Sequence, residues 1–374
     1  MSRVNPPFRA DVVGSFLRPS AIHEARRAFA EGKLSPEELT AIEDREIADL
    51  IVKEKENGLR AVTDGEFRRA FWHLDFLAGL GGIKHVKADA WSVKFEGVQP
   101  KAETVVIEDR VHFPSDHPFL EAFDRVQHLA GDTLVKFTIP SPSMLHLICC
   151  VRETHYQPID VYAENPELLF EDLAQTWSDA VKALYARGCR YLQFDDTSWG
   201  ELCSAEKRAA YTERGFDLDA LAKAYVEVIN KVIATKPDDL TITMHICRGN
   251  FRSTWFSSGG YEPVAETLFG GCHVDGFFLE YDTERAGTFE PLRFIKNQTV
   301  VLGLITSKFP ALEVKEEVKA RIQEATKYVP LQQLCLSPQC GFSSTEEGNL
   351  LTEANQWAKV RLTVEIAKEV WKDA

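Results

Sequence analysis

The chain has 374 residues, 44% apolar and 27% charged, ordinary globular usage that argues against a disordered or low-complexity protein. Acidic side chains outnumber basic ones, 57 to 43, and the net charge of -14 repels phosphate backbones and anionic lipid, so neither nucleic acid nor membrane is an expected partner. No run reaches the roughly 18 apolar residues that a bilayer span needs. Eight cysteines without regular spacing are too sparse for a disulfide scaffold. Their expected state is reduced and buried, and the polar start from Met1 to Pro7 carries no apolar h-region. Both features point to a cytoplasmic protein.

Short β-rich runs alternate with helical stretches along the chain. Residues 10–14, 59–63, 133–137, 190–194, 240–245, 273–279, 299–304 and 333–336 are each apolar or β-branched and bounded by polar or Gly/Pro segments. Their near-continuous apolar character suits parallel strands covered on both faces. Ser35-Pro36-Glu37-Glu38 is a capping box with proline at the first helical position. It opens a helix through Leu39, Ile42, Ile47, Leu50 and Ile51 that stops at Asn57-Gly58. Asn165-Pro166 opens another, with Leu169, Leu173, Trp177, Val181 and Leu184 near helical spacing before Gly188. Residues 313–328 and 346–372 read as further long helices.

Eight strands alternating with helices predict an α/β (β/α)8 TIM barrel, with an open doubly wound sheet as its competitor. Residues 84–113 break the rhythm. Their alternation through Val86, Ala88, Trp91, Val93 and Phe95, then Val105, Ile107 and Val111, predicts an antiparallel β insertion after the second strand. With no Gly/Ser or Pro linker and no internal repeat, residues 1–374 read as one catalytic domain.

Three strand ends carry chemistry. The fifth strand ends in His245-Ile246-Cys247, and period-two alternation puts His245 and Cys247 on one face, roughly 6.5 Å apart. The sixth closes an apolar run with Glu280, a carboxylate that must find a partner. After the eighth, Ser337-Pro338-Gln339-Cys340-Gly341 places a thiol in a tight turn. Parallel barrel strands converge on one rim, so an imidazole, two thiols and a carboxylate can meet there. That mixture suits zinc, whereas iron–sulfur clusters want more thiolates and magnesium or calcium wants oxygen alone.

These motifs resemble the cobalamin-independent methionine synthase family, specifically its C-terminal catalytic barrel, almost from end to end. The resemblance implies one zinc per chain held by His245, Cys247, Glu280 and Cys340. Val13-Gly14-Ser15-Phe16 is similar to the segment whose serine and backbone hold an amino-acid carboxylate in that family. Thr63-Asp64-Gly65-Glu66 and Gln193-Phe194-Asp195-Asp196 resemble the segments whose acids bind the amino group, here Glu66 and Asp195. Glu201 matches an acid that contacts the pterin.

The chain also departs from the pattern. It has a single barrel, Thr138-Ile139-Pro140-Ser141 lacks the stacking tryptophan, and Leu304-Ile305-Thr306-Ser307-Lys308 lacks the proton-donating histidine. The implied activity is therefore zinc-dependent methyl transfer to homocysteine, giving methionine, with the donor open among folate, methylcobalamin and others. A homo-oligomer and a methyl-carrier protein are the macromolecular partners left open. Two alternatives stand beside this reading. One is alkyl transfer to another thiol, as in the epoxyalkane–coenzyme M transferases, where Glu66 and Asp195 would face a sulfonate poorly. The other is a non-catalytic zinc- or thiol-binding protein.

Outside these motifs, Cys149-Cys150 read as packing and Cys272-His273 as lying on the opposite rim. Trp72-His73 are placed near the substrate mouth, and Arg18 and Arg68-Arg69 are expected in surface salt bridges.

Overall fold

The computed structural model describes residues 5–87, 95 and 103–374. Its main sheet comprises β1 (Ala61–Val62), β4 (Leu134–Pro140), β5 (Tyr191–Asp196), β6 (Thr241–Ile246), β7 (Gly276–Glu280), β8 (Thr299–Ile305) and β9 (Leu334–Pro338). These seven strands pair in that order, and every pairing is parallel. The sheet curls with helices between successive strands, as in a TIM-like barrel. Apart from half-buried Leu134 and Thr241, the first residues of β4 and β6, every strand position in this sheet is buried, which matches the continuous apolar runs.

The strand expected at 10–14 forms no ladder. Ala10 instead bridges Leu336 of β9, and Ser15 bridges Gly65 just past β1. Asp11 N donates to Leu336 O (3.0 Å), Leu336 N to Arg9 O (2.9 Å), and Phe16 N to Gly65 O (3.1 Å). The segment therefore lies between the first and last strands of the sheet. Asp11 explains the missing ladder, because its carboxylate captures nearby N–H groups: Val12 N (2.8 Å) and Phe8 N (3.0 Å). Gly14 has φ +153°, and a Cβ there would sit 2.9 Å from Thr138 Cγ2, so the segment passes close against β4.

The antiparallel insertion is present as the hairpin of β2 (Gly81–Lys87) with β3 (Glu103–His112), between β1 and β4. Ala88, Trp91 and Val93 of the expected alternation lie outside the described residues. Helix Pro36–Glu56 begins at the expected capping box: Ser35 Oγ accepts from Glu38 N and Glu38 Oε2 from Ser35 N. Helix Glu167–Ala186 buries the five expected apolar positions, and Trp177 Nε1 donates to Pro140 O at 2.7 Å. The final helix starts later than expected, at Glu353–Val370. Its cap is Thr352, whose hydroxyl accepts from Asn355 N, while Gly348 at φ 72° turns the preceding chain. The helix expected at 313–328 is likewise shorter, Lys315–Ala325.

Beneath the rim, the sheet interior holds a buried charge. Lys136 on β4 donates to Val12 O, lies 3.4 Å from Asp11 Oδ1, and rests 3.7 Å above the Phe278 ring. Tyr191 completes the cluster by donating to Asp11 Oδ2 at 2.9 Å. This tie anchors the segment that the ladder leaves loose. Replacing Asp11 with alanine strands a buried ammonium, and should cost about 3–5 kcal/mol of stability. Urea unfolding measures the loss, and a change under about 1 kcal/mol would remove the tie from the account.

Candidate metal centre

The strand ends meet as the spacing anticipates. His245 lies on β6 and Cys247 just beyond it, Glu280 closes β7, and Cys340 follows β9. One ligand atom from each of these four residues lies within 4.8 Å of all the others, and all four residues are buried. The two sulfurs are 3.5 Å apart. Donors bound at 2.0–2.3 Å in a tetrahedron sit about 3.3–3.8 Å from one another, so the sulfur pair matches a shared zinc-type ion.

The surrounding residues prepare the donors. His245 Nδ1 lies 3.2 Å from Phe278 O, a contact that assigns the ring proton to Nδ1. Nε2 is buried with no hydrogen-bond partner among the described residues, as expected of a nitrogen reserved for a ligand bond. Glu280 accepts from Arg248 N at 2.9 Å through Oε1 and from Arg285 Nη2 at 2.8 Å through Oε2. Burial pushes its carboxyl up, yet Arg285, Lys308 and Arg248 outweigh that and hold it below its ordinary value. The hydrogen bond between the sulfurs splits their titration. Cys340 falls well below the thiol range, helped by His245, while Cys247 rises well above it. The centre thus pairs a carboxylate with two thiols of unequal acidity, and its nitrogen and sulfur donors suit zinc.

Three of the donors, His245, Cys247 and Cys340, line a cleft with a free volume of only about 60 Å³, and Glu280 is not among its lining residues. Val13, Ser15, Glu66 and Asp195 line the same cleft, beside Trp72 and His73. Glu66 sits at φ 60°, a left-handed conformation costing about 1–3 kcal/mol in a non-glycine residue. It is held there by Asp64 Oδ1, which accepts its N–H at 2.8 Å. Burial raises Glu66 to about 7 against the pull of Arg69 and Arg18. Burial likewise raises Asp195 to about 6, although His245 and Gln193 act to lower it. Gln193 Nε2 donates both to Asp195 Oδ1 (2.7 Å) and to Val13 O (2.9 Å), tying the acid to the first segment. Ser15 Oγ accepts from Ser343 N and keeps its own proton to donate. Gly341 faces that serine so closely that a Cβ would stand 1.9 Å from Ser15 Oγ.

Several placements differ from the sequence expectation. Arg18 and Arg69 are not surface residues: both are buried. Arg18 donates to four backbone carbonyls, those of Phe16, Glu66, Arg69 and Ser343. Arg69 donates to Thr138 and stands 3.7 Å from Glu66 Oε1. Arg68 does pair with Glu43 and Asp44, as expected. Glu201 is buried and engaged by Arg152 and Tyr211, and it is not among the cleft-lining residues. Cys149 and Cys150 are buried in a π-helix, and Cys272 precedes β7, at the end of the strand away from Glu280. Arg152, Arg248 and Arg285 went unread because their partners are distant in sequence and nothing local marks a buried guanidinium.

Fold and site together define an α/β protein with a metal-competent His/Cys/Glu/Cys centre at the carboxyl ends of parallel strands. The catalytic-domain model of the cobalamin-independent synthases matches residues 8–369, and the chain belongs to that family. It is 48% identical to the uncharacterized Bacillus subtilis protein YxjG over 100% of this chain and 97% of that protein. The structure of a Listeria monocytogenes protein, named provisionally as a vitamin-B12-independent methionine synthase, is 44% identical, with a TM-score of 0.78 and 99% of both chains covered. A B12-independent methionine synthase from Shewanella sp. W3-18-1, solved with selenomethionine, shares the fold at 19% identity, with a TM-score of 0.70 over 98% of each chain. No helix among the described residues is long and apolar enough to cross a membrane.

Metal analysis of the purified chain should give about one zinc per chain. Cys340→Ser should lose the metal while Glu66→Gln keeps it, and retention in Cys340→Ser would dissolve the centre. Gly341→Ala should displace Ser15 or Cys340 and weaken zinc retention against a chelator at least about tenfold, which competition titration reads.

Proposed function

We propose that the protein is a zinc-dependent methyltransferase that methylates the thiol of homocysteine to give methionine. The observation that carries this reading is the placement of two buried acids, Glu66 and Asp195, in the cleft that three of the four metal donors, His245, Cys247 and Cys340, also line. A zwitterionic thiol needs both features: acids for its ammonium and soft donors near its sulfur. The relatives' names point the same way. We further propose that residues 1–374 form one catalytic domain, a (β/α)8 barrel closed by the segment that bridges β9 and β1.

Each of the chain's own residues has a task in this reading. Glu66 and Asp195 hold the substrate ammonium, and the Ser15 hydroxyl, with the backbone of Val13 and Gly14, takes the carboxylate. His245, Cys247, Glu280 and Cys340 would hold zinc. When bound, zinc supplies a Lewis acid that keeps the substrate thiol as thiolate, a form that is only about 3% populated for a free thiol near neutral pH. Arg285 and the Arg248 N–H keep Glu280 charged and aimed. Trp72, Phe251 and Phe256 line the cleft and keep water from the reacting sulfur. The buried acidic pair disfavours a sulfonate thiol such as coenzyme M, whose anionic group would meet two carboxylates. The methyl donor is a small molecule with a transferable methyl group.

Turnover of homocysteine with methyltetrahydrofolate, methylcobalamin and small methyl donors tests the reaction, and the absence of methionine with all of them overturns it. Methionine, which has no thiol proton, isolates the role of the acids. Glu66 is protonated below about 7 and charged above it, so methionine affinity should rise with pH through that value. Glu66→Gln should weaken binding about 10- to 100-fold at pH 8 and leave only the Asp195 step near 6. Calorimetry across pH reads both effects, and an unchanged pH profile in the variant would remove Glu66 from the ammonium site.

A further inference from the structure

The cleft has a polar contact point that neither the metal donors nor the zwitterion partners use. Arg152, 7% exposed, closes the π-helix Leu147–Arg152 and lines the cleft beside Phe256, whose ring centroid is 5.6 Å away. Such widened turns are rare and commonly re-aim a side chain at a functional site. Two of its three guanidinium nitrogens are committed. Nε donates to Glu201 Oε1 at 2.9 Å, while Nη2 donates to the same oxygen and to Thr197 Oγ1 at 3.1 Å. Nη1 donates to no described residue. Because the guanidinium is planar, fixing two nitrogens fixes the direction of the third.

His73 lies in the same cleft wall, 5% exposed and 4.4 Å from the Trp72 ring. Its Nδ1 is buried without a partner among the described residues. Burial and the Arg152 charge hold the ring neutral, with its pKa pushed down to about 3. Glu201, by contrast, is fully enclosed: one oxygen takes Arg152 and the other takes the Tyr211 hydroxyl.

Resting on the methyl-transfer reading above, we propose that Arg152 contacts the methyl donor, through Nη1 to an acceptor atom of that donor, and that Glu201 is a positioning residue that does not touch it. Glu201 and Thr197 hold the guanidinium plane, and neutral His73 offers a second polar contact beside the Trp72 face. A donor suited to this compartment presents a hydrogen-bond acceptor next to an apolar face. Simple trialkylsulfonium and tetraalkylammonium ions have no acceptor and fit it poorly.

The test uses the zinc-loaded full chain with homocysteine saturating, and methyltetrahydrofolate and methylcobalamin as donor probes. Arg152→Lys, which keeps the ion pair but loses the fork, and Arg152→Gln should raise the donor KM at least about tenfold. Homocysteine affinity by calorimetry should stay within about twofold, which a merely structural loss would not allow. Glu201→Gln should raise the donor KM in the parent chain and add less than about twofold in the Arg152→Lys background. An unchanged donor KM in Arg152→Lys, or independent multiplicative effects of the two substitutions, overturns the proposal while leaving methyl transfer standing. Failure of the parent chain to turn over either donor overturns the methyl-transfer reading, and this proposal falls with it.

Discussion

The segment from Arg9 to Phe16 bonds to β9 on one side and to the end of β1 on the other, and the cleft is assembled around it. It carries Ser15 against Gly341, one residue from Cys340, at a separation that leaves no room for a Cβ. Through Val13 O it binds Gln193, which in turn holds Asp195. The same few residues therefore set the relation between the sulfur-rich wall and the acidic wall. Its own ladder is sparse, so Lys136 and Asp11 supply from the sheet interior the fixing that backbone pairing does not.

Buried charge is the material of the whole site, and the charges differ in how firmly a partner holds them. Glu280 stays ionised because the Arg248 N–H and Arg285 converge on its two oxygens. Among the described residues Glu66 and Asp195 have no comparable ion pair at hydrogen-bond distance, and burial leaves them easier to protonate than ordinary carboxylates. Under the proposed function, that contrast divides the labour. A metal ligand should be charged before its ion arrives, whereas an ammonium site gains from acids that become fully ionised as the cation binds. Arg152 and Glu201 form a third arrangement, a closed pair in which the arginine lines the cleft and the glutamate does not.

Much of this was legible in local patterns. Parallel strands declared themselves as apolar runs, and Ser35 and Asn165-Pro166 marked helix starts within a residue or two. Glu280 was conspicuous as a carboxylate at the end of an apolar run. The misreadings came where a long-range partner outweighed local pattern. Residues 346–352 continue a helical pattern, but Gly348 turns the chain and Thr352 provides the cap that starts the helix. Arg18 and Arg69 look like surface cations until the carbonyls they serve are brought from elsewhere in the chain.

The sequence by itself determined the donor types, their order and their places at successive strand ends, because alternation along a strand and burial of apolar runs are local properties. Only the tertiary structure decided that the sulfurs of Cys247 and Cys340, 93 positions apart, lie 3.5 Å from each other. It also decided which charges are caged and which face the cleft. Those outcomes depend on sheet curvature and on side chains meeting across the molecule, and no window of consecutive residues contains either.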